Sequence, residues 1–354
     1  KTAAANSRSP RRLGIVTLPR QRAWGPRLND SHRLFNRKGL AMAERARSFW
    51  LRSLTVAAVA WWLGVAAFVA AQERNGQAAP AKTEALEIVT QDGIEYARVG
   101  DQALKLDLAR PKAPGKYPGV VCIHGGGWRA GDKSSLAALT QRLAKEGFVA
   151  VTVQYRFAPQ DRFPAQVDDV RCAVRWLRAH AEELQLDPQR IGAIGFSAGG
   201  HLSLMLGLME DSDRPASDSC HGDQSSKVQA VVNFFGPADL AGNYPEAVRN
   251  ILKEFLGGSP EEKPSETKAA SPITYIDRND APILTFHGTE DKIVPYEQAE
   301  LLDQACRKAG LSHKLETLEG AGHGWGGEQL VETIDKSIAF FREKLAQPAA
   351  VGGK

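Results

Sequence analysis

The stretch Arg190-Ile-Gly-Ala-Ile-Gly-Phe-Ser-Ala-Gly-Gly-His201 decides the fold of this chain. Its first half is an apolar run typical of a buried strand and its second half begins a helix, so Ser197 lies in the turn between them. A side chain two residues before or after that serine would collide where strand and helix cross. Gly195 and Gly199 remove the collision. We therefore predict that Ser197 projects from the edge of a sheet, with the backbone amide of Ala198 facing the same space.

Strand-like and helix-like segments alternate along the chain, which predicts an α/β fold with a mostly parallel central sheet and helices on both faces. The first two strands, joined by a turn at Gly100-Asp101, are expected to be antiparallel. The predicted strands are residues 93–99, 102–109, 119–124, 148–155, 190–196, 228–235, 282–287 and 312–318. The predicted helices are residues 134–146, 163–183, 198–209, 295–309 and 328–346.

Residues 236–280 interrupt this alternation. They contain Pro237, Pro245, Pro260, Pro264 and Pro272 around one amphipathic piece. Because they stand between two predicted strands of the sheet, we expect a small cap insertion over the strand ends.

Three residues suited to acyl transfer follow predicted strands, at the sheet edge where α/β proteins bind ligands. Ser197, Asp291 and His323 occur in the chain order of nucleophile, acid and base in one large class of serine hydrolases. A serine hydroxyl needs a neighbouring base, and a carboxylate orients that base. Asp291 competes for the acid role with Glu290 beside it and with Asp277 upstream.

The segment His124-Gly-Gly-Gly-Trp128 follows another predicted strand and is too rich in glycine to pack as a regular element. We predict that the amides of Gly126 and Gly127, together with that of Ala198, form an oxyanion hole.

The remaining histidines are not expected to take part in the chemistry. His124, His201 and His287 are interpreted as structural hydrogen-bonding residues, whereas His313 is interpreted as a surface residue, as are His32, His180 and His221.

Neither a metal site nor a cofactor is predicted. The four cysteines show no metal-binding spacing, and no cluster of histidine, cysteine and carboxylate residues suggests a metal. Cys122 lies in a predicted strand and is expected in the core. In an exported protein Cys172 and Cys220 are candidates for a disulfide, although the sequence does not determine the pairing.

The charge is unevenly distributed. Residues 1–52 carry 13 Lys or Arg and 2 Asp or Glu, whereas the whole chain carries 45 and 41, so residues 53–354 hold 32 basic and 39 acidic groups. The folded part is therefore mildly acidic, which argues against a nucleic-acid partner.

The basic N-terminal segment has the form of an export signal. A positively charged stretch begins at Met42, an uncharged apolar run covers residues 53–71, and small residues precede a cleavage point after Ala71. We predict a signal peptide at residues 42–71 and a secreted or periplasmic protein without membrane contact after cleavage. An uncleaved membrane anchor is the alternative.

This interpretation divides the whole chain. Residues 1–41 are interpreted as an upstream extension, residues 72–84 as a flexible leader, residues 85–346 as the catalytic domain and residues 347–354 as a tail.

Over residues 85–346 the chain resembles the α/β-hydrolase superfamily, in the branch of feruloyl and acetyl-xylan esterases and hormone-sensitive-lipase-like carboxylesterases. The resemblance rests on His124-Gly-Gly-Gly-Trp128, Gly131-Asp132-Lys133, Tyr155-Arg-Phe-Ala-Pro159, Phe163-Pro164 with Asp168-Asp-Val170, Gly195 to Gly200, Ala270-Ser-Pro-Ile-Thr274, His287 to Pro295 and Gly322-His323-Gly324. Phe157 and Gln160 depart from the lipase-like pattern and favour the feruloyl and acetyl-xylan group.

The resemblance implies a Ser197-Asp291-His323 triad, an oxyanion hole at Gly126 and Gly127, and no cofactor. It also implies a serine carboxylesterase acting on a small ester or an acylated saccharide, such as acetyl or feruloyl esters of plant polysaccharide. A peptidase or arylformamidase of the same fold, and a non-catalytic binding protein, are the alternatives. The sequence does not predict the oligomeric state.

Overall fold

The computed structural model describes residues 85–214 and 220–346. The predicted extension (1–41), signal peptide (42–71), leader (72–84) and tail (347–354) lie outside the described residues. Within them, no helix is both long and apolar enough to cross a membrane.

Eight strands of the described residues form one sheet. They are β1 (Ile88–Val99), β2 (Gln102–Pro111), β3 (Tyr117–Ile123), β4 (Val149–Val153), β5 (Leu186–Phe196), β6 (Ala230–Phe234), β7 (Ile283–Gly288) and β8 (His313–Leu318). The spatial order is β1-β2-β4-β3-β5-β6-β7-β8. Strands β1 and β2 pair antiparallel, as does β2 with β4, and all pairs from β4 to β8 are parallel. The carboxyl ends of six strands therefore meet at one edge.

Helices cover both faces of this sheet. They are α1 (Ala137–Lys145), α2 (Ala165–Ala179), α3 (Ala181–Leu184), α4 (Ala198–Leu208), α5 (Glu246–Leu256), α6 (Pro264–Ala269), α7 (Glu297–Ala309) and α8 (Gly327–Lys344). Helices α2, α4 and α7 pack in one apolar core, whereas α1 and α8 pack in a second. In β5, Ala193 faces the first core and its neighbour Ile194 the second, as the alternation of a strand requires. This architecture is the α/β-hydrolase fold, so the predicted fold class is confirmed.

Two predicted helices differ from the observed ones. Residues 134–146 begin as a 3-10 turn at Lys133–Leu136, capped by the Asp132 side chain, before α1 starts. Residues 163–183 form two helices, because α2 begins only after Pro164 and ends at Ala179. The apolar spacing indicates where the helical segments lie, but it does not show where the backbone leaves helical geometry.

The insertion at residues 236–280 packs on the loop at residues 124–128, which we call the glycine loop. Helix α5 buries Val248, Leu252, Phe255 and Leu256. Phe255 stacks on Trp128 with ring centroids 4.4 Å apart, and an added Cβ on Gly127 would meet Ile251 at 3.0 Å. The insertion is thus part of the packed core.

A disulfide and a side-chain hydrogen bond connect helix α2 to the segment that follows α4. Cys172 of α2 forms a disulfide with Cys220, and Arg175 of the same helix donates a 2.9 Å hydrogen bond to Asp211. Asp211 also accepts a bond from the Ser226 amide at 3.0 Å. Cys122 is fully buried in β3, as predicted.

Removing this cross-link should destabilise the fold without altering the sheet edge. We expect the double variant Cys172→Ala/Cys220→Ala to lose about 2–4 kcal/mol of unfolding free energy, because its unfolded chain is less constrained. Urea denaturation under non-reducing conditions measures the difference. Wild type treated with a reductant is the control and should match the variant, whereas equal stability of oxidised wild type and variant would contradict the pairing.

Candidate active site

Ser197 occupies the crossing of β5 and α4. Its backbone has φ 55° and ψ −120°, a combination that residues with a side chain rarely adopt, and its amide donates to the Phe234 carbonyl at 2.9 Å. A Cβ on Gly195 would lie 2.0 Å from the carbonyl oxygen of Gly199, and a Cβ on Gly199 would lie 2.1 Å from that of Ile123. Both glycines are therefore required by backbone contact, as the sequence predicted.

The structure brings together the three side chains that the sequence selected. His323 Nε2 lies 2.9 Å from Ser197 Oγ, and His323 Nδ1 lies 2.7 Å from Asp291 Oδ2. Because an ionised carboxylate only accepts, Nδ1 carries the proton and Nε2 is free to accept from the serine hydroxyl. The side chain of His323 is 17% exposed, whereas that of Asp291 is fully buried. A base in contact with solvent thus connects the hydroxyl to a buried acid group.

Asp291 is held as an anion. Burial alone would raise the pKa of its carboxyl, but hydrogen bonds from His287 and His323 more than offset that effect and hold the pKa well below its usual value. The Ile293 and Val294 amides donate to Oδ1 at 2.8 and 2.9 Å. The carboxylate therefore stays charged and fixed in orientation.

The two competing acids lie elsewhere. Glu290 is exposed and pairs with Lys292 at 2.9 Å, while Asp277 caps its own turn by accepting from the Asn279 amide at 3.0 Å. Neither forms a hydrogen bond with His323, so the geometry distinguishes Asp291 from both.

The glycine loop lies against the serine. A Cβ on Gly125 would meet Ser197 Cβ at 3.3 Å, and Gly126 and Gly127 have φ values of 119° and 60°. Within the described ranges, 85–214 and 220–346, neither of these two amides donates a hydrogen bond. Ala198 is the first residue of α4, so its amide has no acceptor within the helix. All three predicted donors are therefore available to a ligand.

His124 supports this loop, in keeping with its predicted structural role. Its Nδ1 contacts the Gly125 carbonyl at 2.7 Å, and its ring stacks on Tyr155 at 4.5 Å. The Tyr155 hydroxyl in turn donates to the His124 carbonyl at 3.0 Å. Sequence reasoning assigned no role to Tyr155, although a buried tyrosine just after β4 is the kind of residue that finds such an acceptor.

The imidazole of His323 is also packed by a residue that the sequence did not select. The ring of Phe235 lies 4.7 Å from it, and Phe235 itself has a φ of 42° directly after β6. An unusual backbone conformation at the end of a strand next to the base indicates a position fixed by the site.

The other histidines divide between confirmed and wrong predictions. His201 and His287 are fully buried and bond to the carbonyls of Ala270 and Val294 at 2.7 and 2.8 Å. His313 is not a surface residue, because its side chain is 1% exposed and bonds Asp303 and Thr285. Its polar neighbours in sequence concealed a packed position where β8 meets β7.

Among the described residues, no group of three or more His, Cys, Asp or Glu side chains is arranged to hold a metal ion. The chemistry that the site can perform is nucleophilic attack by an activated hydroxyl, with free backbone amides beside it.

The chain is similar to several known proteins. The profile of the BD-FAE family matches residues 106–306, a range that includes Ser197 and Asp291 and ends before His323. The chain is 35% identical over 234 residues to the esterase LipC of Mycobacterium tuberculosis, covering 64% of this chain and 58% of LipC. It is 44% identical over 241 residues to an ethyl acetate hydrolase of Pseudomonas putida, covering 64% and 72%.

Among solved structures, the chain is similar to a truncated carbohydrate esterase from gut microbiota. The TM-score is 0.64 at 27% identity, and the match covers 75% of this chain and 99% of the other. The chain spans about half the length of the curated relatives that it matches first, at 58%, 49% and 52%.

The depressed pKa of Asp291 makes a prediction about stability. Its stabilising effect should be present above about pH 4, the pKa of an unfolded aspartate, and should be lost as the pH falls through the lower folded-state pKa. We expect Asp291→Asn to lower the unfolding free energy by about 2–4 kcal/mol at pH 7, because buried donors lose an acceptor.

The difference between wild type and this variant should narrow below about pH 4. Urea denaturation at pH 7, 5, 4 and 3 measures it, and Asp101→Asn in the exposed turn between β1 and β2 serves as the control with little effect. A difference that stays constant from pH 7 to pH 3 would contradict the assignment.

Proposed function

The chain belongs to the BD-FAE family, and we propose that it is a serine carboxylesterase that works through an acyl-enzyme. The proposal rests on one observation: hydrogen bonds of 2.9 and 2.7 Å connect Ser197 Oγ to His323 and His323 to Asp291. A hydroxyl, an imidazole and a carboxylate in that order form the arrangement that activates serine for acyl transfer.

In the first half-reaction Ser197 Oγ attacks the ester carbon while His323 Nε2 takes its proton. The imidazolium that forms is stabilised by Asp291, which accepts the Nδ1 proton in a hydrogen bond without taking it. His323 then protonates the departing alcohol, and the acyl group remains on the serine. Water then attacks the acyl-enzyme while His323 Nε2 takes its proton, and His323 returns that proton to Ser197 Oγ as the bond to the serine breaks and the acid is released.

The negative charge that develops on the carbonyl oxygen meets the amides of Gly126, Gly127 and Ala198. The free donors of the two glycines support this assignment, because an amide already engaged in the fold would be unable to bind the oxyanion. Donors fixed before the reaction add no reorganisation cost when the charge forms.

The proposed substrates are small acyl or aryl esters, including acetyl or feruloyl groups on a saccharide. The similarity to an ethyl acetate hydrolase supports a short acyl group, and the similarity to a carbohydrate esterase supports a sugar as the alcohol. A peptidase or arylformamidase is the alternative, and the substrate panel below distinguishes amide cleavage from ester cleavage.

We also propose that the protein is secreted or periplasmic, with the signal peptide at residues 42–71. The Cys172–Cys220 disulfide supports this location, since such bonds persist in oxidising compartments. The same observation fits an uncleaved anchor that leaves the domain outside the cytoplasm.

Hydrolysis should depend on Ser197. We expect Ser197→Ala to lower kcat/KM for p-nitrophenyl acetate by about 10⁴-fold or more, because the covalent route is lost while the oxyanion donors remain. The assay compares p-nitrophenyl acetate, butyrate and decanoate, methyl ferulate, acetylated xylan and a prolyl-naphthylamide.

The matched control is Ser203→Ala, which removes a buried hydroxyl from the same helix and should retain wild-type turnover. Ester turnover that survives Ser197→Ala would refute the nucleophile, and faster cleavage of the amide than of every ester would favour the peptidase.

Export makes a separate prediction. Expression of the full chain in a secreting bacterial host should yield a mature protein that begins at Gln72 or a near neighbour, because small residues precede that point. Mass spectrometry of the N-terminal peptide is the measurement. A mature chain that begins at Met42 or upstream would support the anchor.

A further inference from the structure

Trp128 closes the glycine loop and is itself tied to the helix that carries Ser197. Its indole Nε1 donates to His201 Nδ1 at 3.1 Å, and its side chain is buried, with 3% of the residue exposed. Trp128 has a φ of 57°, in the left-handed region that a bulky residue adopts only when its surroundings hold it there. The loop backbone therefore depends on the anchoring of this side chain.

Both ring nitrogens of His201 form hydrogen bonds: one donates and the other accepts. Its Nε2 contacts the carbonyl oxygen of Ala270 at 2.7 Å, and since a carbonyl only accepts, Nε2 carries the proton. Nδ1 is then unprotonated, and its lone pair accepts the hydrogen bond from the Trp128 indole. Burial lowers the pKa of His201 to about 4, so the imidazole is neutral at ordinary pH and this tautomer persists.

The two bonds join three parts of the chain that are far apart in sequence. His201 lies one turn after Ser197 in α4, and its amide donates to the Ser197 carbonyl at 3.0 Å. Trp128 belongs to the glycine loop and Ala270 to the insertion. The position of the imidazole is thus set by the same helix turn that positions the nucleophile.

We propose that His201 is a positioning residue for the oxyanion hole: through Trp128 it holds the amides of Gly126 and Gly127 at a fixed place relative to Ser197. The inference rests on the proposed function and adds to it a residue that does not contact the substrate. Gly126, Gly127 and Trp128 all have positive φ. Because glycine reaches many other conformations equally easily, contacts at the Trp128 end of the loop help to select this one.

Contacts from the insertion complete the anchor. Phe255 stacks on the indole of Trp128 at 4.4 Å and meets the edge of the His201 ring at 5.9 Å. Arg129, the next residue, forms an ion pair with Glu254 at 2.9 Å, but both side chains are more than a third exposed. That exposed pair contributes little. The carbonyls of Gly126 and Trp128 accept backbone hydrogen bonds from the amides of Arg129, Ala130 and Ala158 at 3.2, 3.1 and 2.9 Å, and the indole bond is the buried side-chain restraint that joins the loop to α4.

Trp128→Phe tests the proposal, because phenylalanine keeps an aromatic ring on Phe255 and removes the indole donor together with part of the ring volume. We expect kcat for p-nitrophenyl acetate to fall about 10- to 100-fold with KM changed less than about threefold, since the oxyanion amides act mainly in the transition state.

One measurement is specific to the oxyanion hole: kcat/KM for an ester divided by kcat/KM for its thionoester, in which sulfur replaces the carbonyl oxygen. Sulfur accepts hydrogen bonds from amides poorly. If the oxyanion amides are displaced, hydrolysis of the ester therefore slows more than hydrolysis of the thionoester. In Trp128→Phe this ratio should fall by about the same factor as kcat. In Asp291→Asn it should stay at the wild-type value, because that variant impairs proton transfer equally for both substrates.

Two further variants separate positioning from stability. Tyr96→Phe removes a buried hydroxyl that donates to the Gln154 carbonyl at 2.5 Å, and it should lower stability while leaving the ester-to-thionoester ratio unchanged. His201→Leu should lower the ratio as Trp128→Phe does, and the double variant should lower it no further than the larger single effect, because both act through one bond. If one of the two single variants fails to fold, the ester-to-thionoester ratio of the other still tests the proposal.

An unchanged ratio and kcat in a folded Trp128→Phe or His201→Leu protein would overturn the proposal, as would effects that multiply in the double variant. These outcomes are distinct from failure of the proposed function, in which the wild type itself would not hydrolyse the esters.

Discussion

The close crossing of β5 and α4 at Ser197 is the constraint on which the rest of the structure depends. Backbone meets backbone here, since a Cβ at Gly195 would fall 2.0 Å from the Gly199 carbonyl oxygen. The same approach brings α4 against the neighbouring strands: a Cβ at Gly199 would meet the end of β3, and one at Gly200 would lie 2.5 Å from Asn233 in β6. One tight turn therefore determines where the loops after β3 and β6 begin, and with them the glycine loop and Phe235.

The sequence predicted the parts of the site that follow from local pattern. Apolar runs indicated the strands, parallel pairing brings their carboxyl ends to one edge, and residues that follow them in the chain must meet there. Ser197, Asp291 and His323 could be selected on that basis, and the structure places them in contact.

The parts that the sequence did not predict depend on packing between distant segments. Trp128 and His201 are 73 residues apart, and His201 and Ala270 are 69 apart, so their contacts exist only once the insertion has folded onto the glycine loop. A signal was present: His201 is four residues after the serine and lies one helical turn from it. The prediction that His313 lies at the surface is wrong for the same reason, because the burial of its side chain depends on Thr285 of β7 and Asp303 of α7 beside it.

The acid group of the site is charged, whereas two buried imidazoles beside the glycine loop are not. Burial lowers the pKa of both His124 and His201, which flank the glycine loop and are therefore neutral. Asp291 remains an anion because hydrogen bonds offset its burial. In the proposed reaction the positive charge that forms on His323 is stabilised by the Asp291 carboxylate, and the oxyanion meets the amide dipoles of Gly126, Gly127 and Ala198. Neutral His201 keeps Nδ1 as the acceptor for the Trp128 indole, so the burial that removes its charge also preserves the hydrogen bond that joins the glycine loop to α4.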